Sequence, residues 1–147
     1  TPGHMGNHLC FGFGDTVFSG DLIMGWSSSL ISPPDGDAAA FRDSCALVMD
    51  QAPARLYPGH GAPVKTPGER IRFLLHHRAA REAQILRVLA EKPMDLLTLT
   101  RAVYTDLPAS HLPMAARNTL AHLIDLSQKN RVSATPELAE SATFSVL

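Results

Sequence analysis

The sequence predicts an α/β fold of the α+β kind in two structurally different parts. Three observations predict it. Short apolar and β-branched runs fall within the first sixty or so residues and end at glycine-containing turns. A long stretch with helical spacing of its apolar residues follows, from about residue 66 to residue 91. Further helical stretches and then two strand-like runs complete the chain, which is the element order of a winged helix-turn-helix.

The bulk composition is that of an ordinary folded chain. Of its 147 residues 45% are hydrophobic and 18% are charged, with a net charge of −1, so a disordered composition is excluded. No apolar run approaches the roughly 20 residues that a membrane helix needs, and we expect no membrane partner. Two cysteines far apart form no disulfide framework, which makes a cytoplasmic location the default expectation.

Charge is distributed unevenly along the chain. Residues 1–64 hold two arginines and six aspartates, whereas residues 65–92 hold seven basic residues and three glutamates. An acidic part that attracts cations therefore precedes a basic helix. Such a helix usually presents a solvated polar face. If it contacts phosphate, Arg78 and Arg81 are the first candidates.

The elements of the first part can be read from turn and cap signals. Apolar runs at residues 9–13 and 16–18 surround Gly14-Asp15 and predict an antiparallel hairpin. A third strand, residues 55–57, ends at a Pro-Gly turn. Between them, a Ser/Pro/Gly-rich loop leads to a helix from Asp37, a plausible N-cap, to about Met49.

The second part is mainly helical. The long helix begins at Thr66-Pro67-Gly68-Glu69, where threonine can cap, and it ends before Pro93. Two further helices and two strands are predicted after it: residues 95–104, 110–128, 131–135 and 142–147.

Three turns each carry one side chain of a metal-binding type. His4 follows Pro-Gly, Asp21 follows Ser-Gly, and His60 follows a second Pro-Gly. Imidazole and carboxylate are ligands that suit zinc, iron and manganese. No local spacing links the three residues. They all flank short predicted strands, however, and strand ends in an α/β sandwich can converge on one site.

These turns resemble known motifs. Thr1-Pro2-Gly3-His4 with His8, then Gly20-Asp21, then Pro58-Gly59-His60-Gly61 resemble the third, fourth and fifth motifs of the metallo-β-lactamase superfamily, in the right order. The tail, through His77-Arg78, Arg81-Glu82 and Ala121-His122-Leu123, resembles the winged-helix tail of the β-lactamase-like endoribonuclease subgroup. The sequence departs at two points. The first motif of the superfamily, His-x-His-x-Asp-His, does not occur, and Met5 stands where threonine is usual.

The resemblance implies the C-terminal half of an αββα metallo-β-lactamase sandwich, followed by a winged-helix domain. The implied divisions are residues 1–65 for the sandwich part, 66–92 for a connecting helix and 93–147 for the winged helix. His4 would bind a first metal, Asp21 would bridge two metals and His60 would bind the second. The remaining ligands would come from an N-terminal half that precedes Thr1. Zn²⁺ is expected, two ions per complete site, with Mn²⁺ or Fe²⁺ as alternatives.

Two more residues near the motifs are candidates for the site. By the resemblance, His8 lies near the metals and contacts substrate. The alternative is a histidine that packs at a strand start. Trp26 forms a wall of the substrate cleft or belongs to the core, and we favour the core slightly because it is the only tryptophan.

Two classes of function stay open. The first is a metal-dependent hydrolase in which metal-bound hydroxide attacks a phosphodiester, as in RNA, or a thioester or other acyl ester. This chain alone would then be inactive and would bind metal weakly or not at all. The alternative is a nucleic-acid or protein-binding winged-helix module on a degenerate scaffold, although few cations there argue against DNA binding. A single-iron sulfur dioxygenase of the same fold is less expected. Half a sandwich would also expose an apolar sheet face, which the missing half or a second copy in a homo-oligomer would cover.

Overall fold

The computed structural model describes residues 1–147 and contains two compact units, residues 1–77 and residues 78–147. Strands and helices are mixed along the chain, which confirms the predicted fold class. The elements in chain order are β1 (Phe11–Phe13), β2 (Thr16–Gly20), α1 (Ala38–Asp50), β3 (Arg55–Pro58), α2 (Pro67–Leu89), β4 (Met94–Asp95), α3 (Leu96–Val103), a 3₁₀ turn (Ala109–His111), α4 (Leu112–Gln128), β5 (Val132–Thr135) and β6 (Thr143–Val146).

The first unit is built on a three-stranded sheet in the order β1-β2-β3. β1 and β2 are antiparallel, with Phe13 opposite Thr16, and so confirm the hairpin predicted around Gly14-Asp15. β2 and β3 are parallel, with Gly20 opposite Pro58. Because parallel strands end at the same edge of a sheet, the turns that carry Asp21 and His60 lie side by side.

The two faces of this sheet differ sharply in exposure. Val17 and Leu56 lie on one face and are buried. The opposite face carries exposed aromatic side chains, two of which, Phe18 and Tyr57, stack with ring centroids 5.6 Å apart. We call this surface the aromatic face, and its members with their exposed fractions are Phe11 (65%), Phe13 (82%), Phe18 (50%) and Tyr57 (37%). The first unit therefore leaves one side of its sheet without apolar cover.

Helix α1 begins where the sequence predicts. The side chain of Asp37 accepts a hydrogen bond of 2.7 Å from the backbone N–H of Ala40, so it is the N-cap. Phe41, Cys45 and Val48 follow helical spacing and are buried. The helix thus covers the first unit with one apolar stripe.

The second unit combines α3, α4 and the end of α2 with a sheet in the order β4-β6-β5, antiparallel throughout. The helices and the β5–β6 hairpin match the predicted elements within a few residues. β4 is only two residues long, too short for a periodicity, and was not predicted. Asp95 ends β4 and caps α3 by accepting from the N–H and hydroxyl of Thr98, which hold the pKa of its carboxyl below the ordinary value.

The core of the second unit is a single apolar cluster. It takes side chains from all three helices and from the sheet, as a winged-helix arrangement requires. Its buried members are Ile85, Leu89, Met94, Leu96, Leu99, Val103, Ala116, Leu120, Leu123, Leu126, Val132, Ala142 and Phe144.

Helix α2 begins in the first unit and ends in the second, so the chain passes between them within one helix. The predicted domain limits of 1–65, 66–92 and 93–147 stay predictions. None of the helices combines the length and the apolar character that crossing a membrane demands.

Candidate metal centre

The three motif side chains lie together around the carboxylate of Asp21. The Nδ1 atom of His60 is 2.8 Å from Oδ1 of Asp21, which is a hydrogen-bond distance. The Nε2 atom of His4 is 4.0 Å from the other oxygen, Oδ2, which is within range for a charge contact and too long for a hydrogen bond. Each oxygen of one carboxylate therefore faces a different imidazole. The parallel strands β2 and β3 bring Asp21 and His60 together, and His4 reaches the same carboxylate from the segment before β1.

The turn after β3 holds His60 and Asp21 together. The N–H of Gly59 donates to the carbonyl of Gly20 at 2.9 Å, which fastens the two turns to each other. A Cβ atom on Gly59 would lie 2.7 Å from Oδ1 of Asp21. Only glycine leaves room for the carboxylate at this point, which gives a steric reason for a glycine immediately before His60.

The ring of His4 is oriented from its far side. Its Nδ1 atom lies 2.6 Å from the carbonyl oxygen of Leu30, to which it can donate, and this leaves Nε2 facing Asp21. The preceding residues are tied to α1 by a hydrogen bond from the N–H of Asp37 to the carbonyl of Gly3 at 2.9 Å. A histidine held by a carbonyl at one nitrogen is the usual arrangement of a metal-binding imidazole.

His8 supports Asp21 from behind. Its Nε2 atom accepts from the backbone N–H of Asp21 at 3.1 Å, and its Nδ1 atom is 3.2 Å from the carbonyl of Thr1, to which it can donate. Burial lowers the pKa of His8, although the hydrogen bond to Thr1 opposes this in part. Both contacts fit a neutral ring with its proton on Nδ1. His8 thus positions the aspartate, and its predicted contact with substrate stays a prediction.

The donor set fits a share of a two-metal centre and does not fit a complete one. Two imidazoles and a carboxylate are ligands of the type that zinc takes. The structure contains no group of three or more histidine, cysteine, aspartate or glutamate side chains arranged to hold one metal ion. This agrees with the geometry at Asp21, where each oxygen has one histidine beside it. One imidazole lies beside each oxygen of this carboxylate.

Trp26 lies on the surface of the first unit with 70% of its area exposed, so the slight preference for a core position was wrong. Because Trp26 lies in a loop, no helix or strand periodicity indicates whether its side chain faces the core or the solvent. The indole borders a cavity of about 510 Å³ that also lies entirely in the first unit. Its lining residues are Gly25, Trp26, Ala62, Pro63, Val64, Thr66, Glu69, Arg70 and Phe73.

The expected phosphate contacts on α2 need correction. Arg78 is only 6% exposed, so its charge does not face solvent. Arg81 donates from its Nη1 atom to the carbonyl of Val103 at 2.8 Å, and its guanidinium carbon lies 3.9 Å from the centroid of the Tyr104 ring. Glu82, the neighbour of Arg81 in the sequence, pairs with Lys129 and not with either arginine. Spacing on a helix does not reveal that a charged side chain will be covered by a neighbouring helix.

We expect Arg81→Ala to destabilise the protein and to leave RNA affinity per folded molecule unchanged. The change removes a charged hydrogen bond and a cation–π contact, which together are worth about 1–3 kcal/mol at a half-buried position. Denaturant unfolding measures the loss. Arg87→Ala, an exposed arginine of the same helix, is the matched control and should change stability little. Unchanged stability with weakened RNA binding in Arg81→Ala would restore the phosphate role.

Sequence reasoning missed Arg70, Phe73 and the carbonyl of Leu30. Arg70 donates to the carbonyl of Met24 at 2.6 Å across 46 residues of sequence. No local pattern indicates such a contact, and a backbone carbonyl has no sequence signal at all. One feature of the sequence indicates that Phe73 could lie near the site. Phe73 is close to the start of α2, which follows the His60 turn in the chain.

With this geometry, the fold is that of metallo-β-lactamase family proteins. A metallo-beta-lactamase family protein from Thermus thermophilus superposes with a TM-score of 0.86 at 22% identity, over 100% of this chain and 48% of that one. A beta-lactamase domain protein from Burkholderia ambifaria superposes with a TM-score of 0.78 at 23% identity, over 90% and 41% of the two chains. At such identities the likeness shows the fold alone.

Sequence comparisons supply the family. Residues 96–141 match the beta-lactamase associated winged helix domain. A beta-lactamase-like protein 2 homolog of Drosophila melanogaster is 30% identical over 136 residues, which are 90% of this chain and 45% of that protein. An atrochrysone carboxyl ACP thioesterase of Passalora fulva is 35% identical over 95 residues, 61% of this chain and 27% of that protein. The chain therefore belongs to the metallo-β-lactamase superfamily, as its motifs predicted, and spans about half the length of the beta-lactamase-like protein 2 homologs that it matches.

Proposed function

We propose that the protein to which this chain belongs is a metal-dependent hydrolase, and that His4, Asp21 and His60 are this chain's share of a two-metal centre. The observation that carries the proposal is the carboxylate of Asp21, which has a different histidine beside each oxygen. Zinc is the metal we expect, with manganese or iron as alternatives. When bound, such ions polarise the scissile group and lower the pKa of a water molecule.

The chain's own residues would prepare this site by fixing the aspartate and the imidazoles. His8 accepts the backbone N–H of Asp21, and Gly59 packs closely against its carboxylate, so the aspartate is restricted on two sides. The carbonyl of Leu30 fixes the ring of His4. Side chains that are already held in place lose little conformational freedom when a metal binds. This supports a site in which these three residues are ready to bind and only the remaining ligands are missing. In our proposal an N-terminal part, absent from these 147 residues, supplies them.

An acyl ester or thioester is the substrate class that we favour. Arg81 is engaged with Val103, Arg117 pairs with Glu140, and Lys129 pairs with Glu82. Affinity for a nucleic acid rests on clustered cations that are free to meet phosphates. The thioesterase named among the similar proteins also supports the acyl class. RNA hydrolysis, which the tail had suggested, becomes the outcome that would overturn this choice.

The test compares two substrates on a longer protein that includes the sequence upstream of Thr1. We expect hydrolysis of an acyl thioester, loss of it after chelation, and recovery after addition of Zn²⁺. The 147-residue chain alone should give no metal-dependent turnover approaching that of a whole enzyme, about 1 s⁻¹ or more. Hydrolysis of single-stranded RNA and not of thioesters would change the substrate class. Metal-independent nucleic-acid or protein binding without any hydrolysis would favour the module alternative.

A further inference from the structure

We propose that the cavity beside the His60 turn binds the flat apolar acyl group of the substrate, with the rings of Trp26 and Phe73 as its walls. This inference rests on the proposed hydrolase function and names the part of the substrate that the site recognises. The cavity holds about 510 Å³. Small-molecule sites usually measure about 300–1,000 Å³, so a ring-sized acyl group fits.

The lining is aromatic and aliphatic where a ligand would touch it. Trp26 is 70% exposed and Phe73 is 58% exposed, although both rings border the same cavity. Ala62, Pro63 and Val64 complete the apolar wall. Two large rings left open to water on one concave surface are unfavourable unless something covers them. An aromatic or other flat apolar group would cover both.

Arg70 fixes the loop that carries the indole. Its Nε atom donates to the carbonyl of Met24 and its Nη2 atom to the carbonyl of Ser27, each at 2.6 Å. These two carbonyls flank Trp26 in the sequence, so one guanidinium holds both ends of the short segment. The same guanidinium lies 5.2 Å from the centroid of the Phe73 ring. Arg70 is thus a positioning residue for both walls, and the cavity is formed before a ligand arrives.

The cavity adjoins the candidate metal centre. A Cβ atom on Gly61 would lie 2.6 Å from Cδ1 of Trp26, and Gly61 has a φ of +92°. The indole therefore packs directly on the residue that follows His60. A group held against the indole would therefore lie close to the turn that carries this histidine.

Charge in the lining favours a neutral occupant. Glu69 and Arg70 are its only charged members, one of each sign, and Arg70 already donates to two carbonyls. A nucleobase could stack on the same rings. It would also bring a phosphate, for which the lining offers a carboxylate and a single engaged cation. An uncharged acyl group avoids that cost.

The test uses the fluorescence of Trp26, the only tryptophan of the 147-residue chain. The chain is titrated with S-benzyl-N-acetylcysteamine, a thioether that cannot be hydrolysed, and separately with uridine 5′-monophosphate. We expect a saturable change with the thioether and none with the nucleotide over the same range. Phe73→Ala should weaken thioether binding about 3- to 10-fold through the lost ring contact. Leu47→Ala, which shortens an exposed apolar side chain of α1 outside the lining, should bind like the wild type.

Phe73→Leu keeps apolar volume without a ring and replaces Phe73→Ala if the latter does not fold. Absence of a saturable change, wild-type affinity in the Phe73 variants, or a response to the nucleotide alone would overturn the proposal. The titration measures binding and needs no hydrolysis. A negative titration would therefore contradict the cavity proposal without contradicting the proposed hydrolase function. If the thioether binds but the longer protein hydrolyses nothing, the binding role of the cavity would stand and the proposed hydrolase function would be wrong.

Discussion

Asp21→Asn is expected to lower metal-dependent turnover by more than about 100-fold in the longer protein that contains the complete site. Loss of a partner that merely orients a metal ligand costs about 10- to 100-fold in metal affinity or activity. Asp21 would be a ligand itself, with each oxygen beside a different histidine. An asparagine of the same shape removes the negative charge and one of the two acceptor oxygens. Steady-state hydrolysis at fixed Zn²⁺ measures the effect.

Asp43→Asn is the matched control for this experiment. Asp43 is an exposed carboxylate of α1 in the same unit, and its change alters net charge equally. We expect its turnover to equal that of the wild type. Circular dichroism should show both variants folded, because Asp21 is on a turn and its backbone contacts do not depend on the carboxylate. Wild-type turnover in folded Asp21→Asn would remove this residue from the metal centre.

The aromatic face is expected to make the 147-residue chain self-associate. Phe11, Phe13 and Phe18 are half exposed or more and lie on one side of the sheet. A fully exposed aromatic side chain presents about 150–250 Å², so at their exposed fractions the three together leave about 300–500 Å² open, which is as large as the largest apolar patch of a typical monomer, about 300–600 Å². Changing all three to serine should convert an associating chain into a monomer with little binding of an apolar dye. Sedimentation over a range of concentrations measures this.

Leu47→Ser is the control for the aromatic face, because Leu47 is 54% exposed on α1 and belongs to no sheet face. It should leave the association unchanged. In the longer protein we expect the triple serine variant to lose stability, since the rest of the sandwich would cover this face. A wild-type chain that is monomeric at all concentrations and binds no dye would contradict the interpretation of the exposed face as an interface.

Local signals in the sequence were enough for most of the fold. Gly14-Asp15 specified the hairpin, and Asp37 specified the start of α1, because turn and cap chemistry acts within a few residues. Amphipathic spacing located the long helices. β4 was not predicted, because its two residues form a strand only by pairing with β6, which is distant in the sequence. Elements that exist only through a tertiary partner leave no periodicity to read.

The candidate site was partly readable for the same reason. Asp21 and His60 each stand on a glycine turn at a strand end, and the parallel strands β2 and β3 bring these two together. His4 follows a glycine but lies well before β1, and its contact with the carbonyl of Leu30 was not readable from the sequence.

The sequence did not determine whether particular side chains face the core or the solvent. The slight preference for a core position of Trp26 was wrong, because its side chain is exposed, and Arg78, a first candidate for a phosphate contact, is buried. Both errors concern contacts between distant segments, which composition and spacing do not encode.

The zinc content of the longer protein reports directly on the proposed metal centre. We expect about two zinc ions per molecule in the wild type, and fewer in His4→Ala and in His60→Ala, because each histidine would serve a different position. Purified protein is dialysed against zinc-free buffer, and bound metal is measured by inductively coupled plasma mass spectrometry. Two ions retained by a folded double variant, His4→Ala with His60→Ala, would contradict the proposed metal centre.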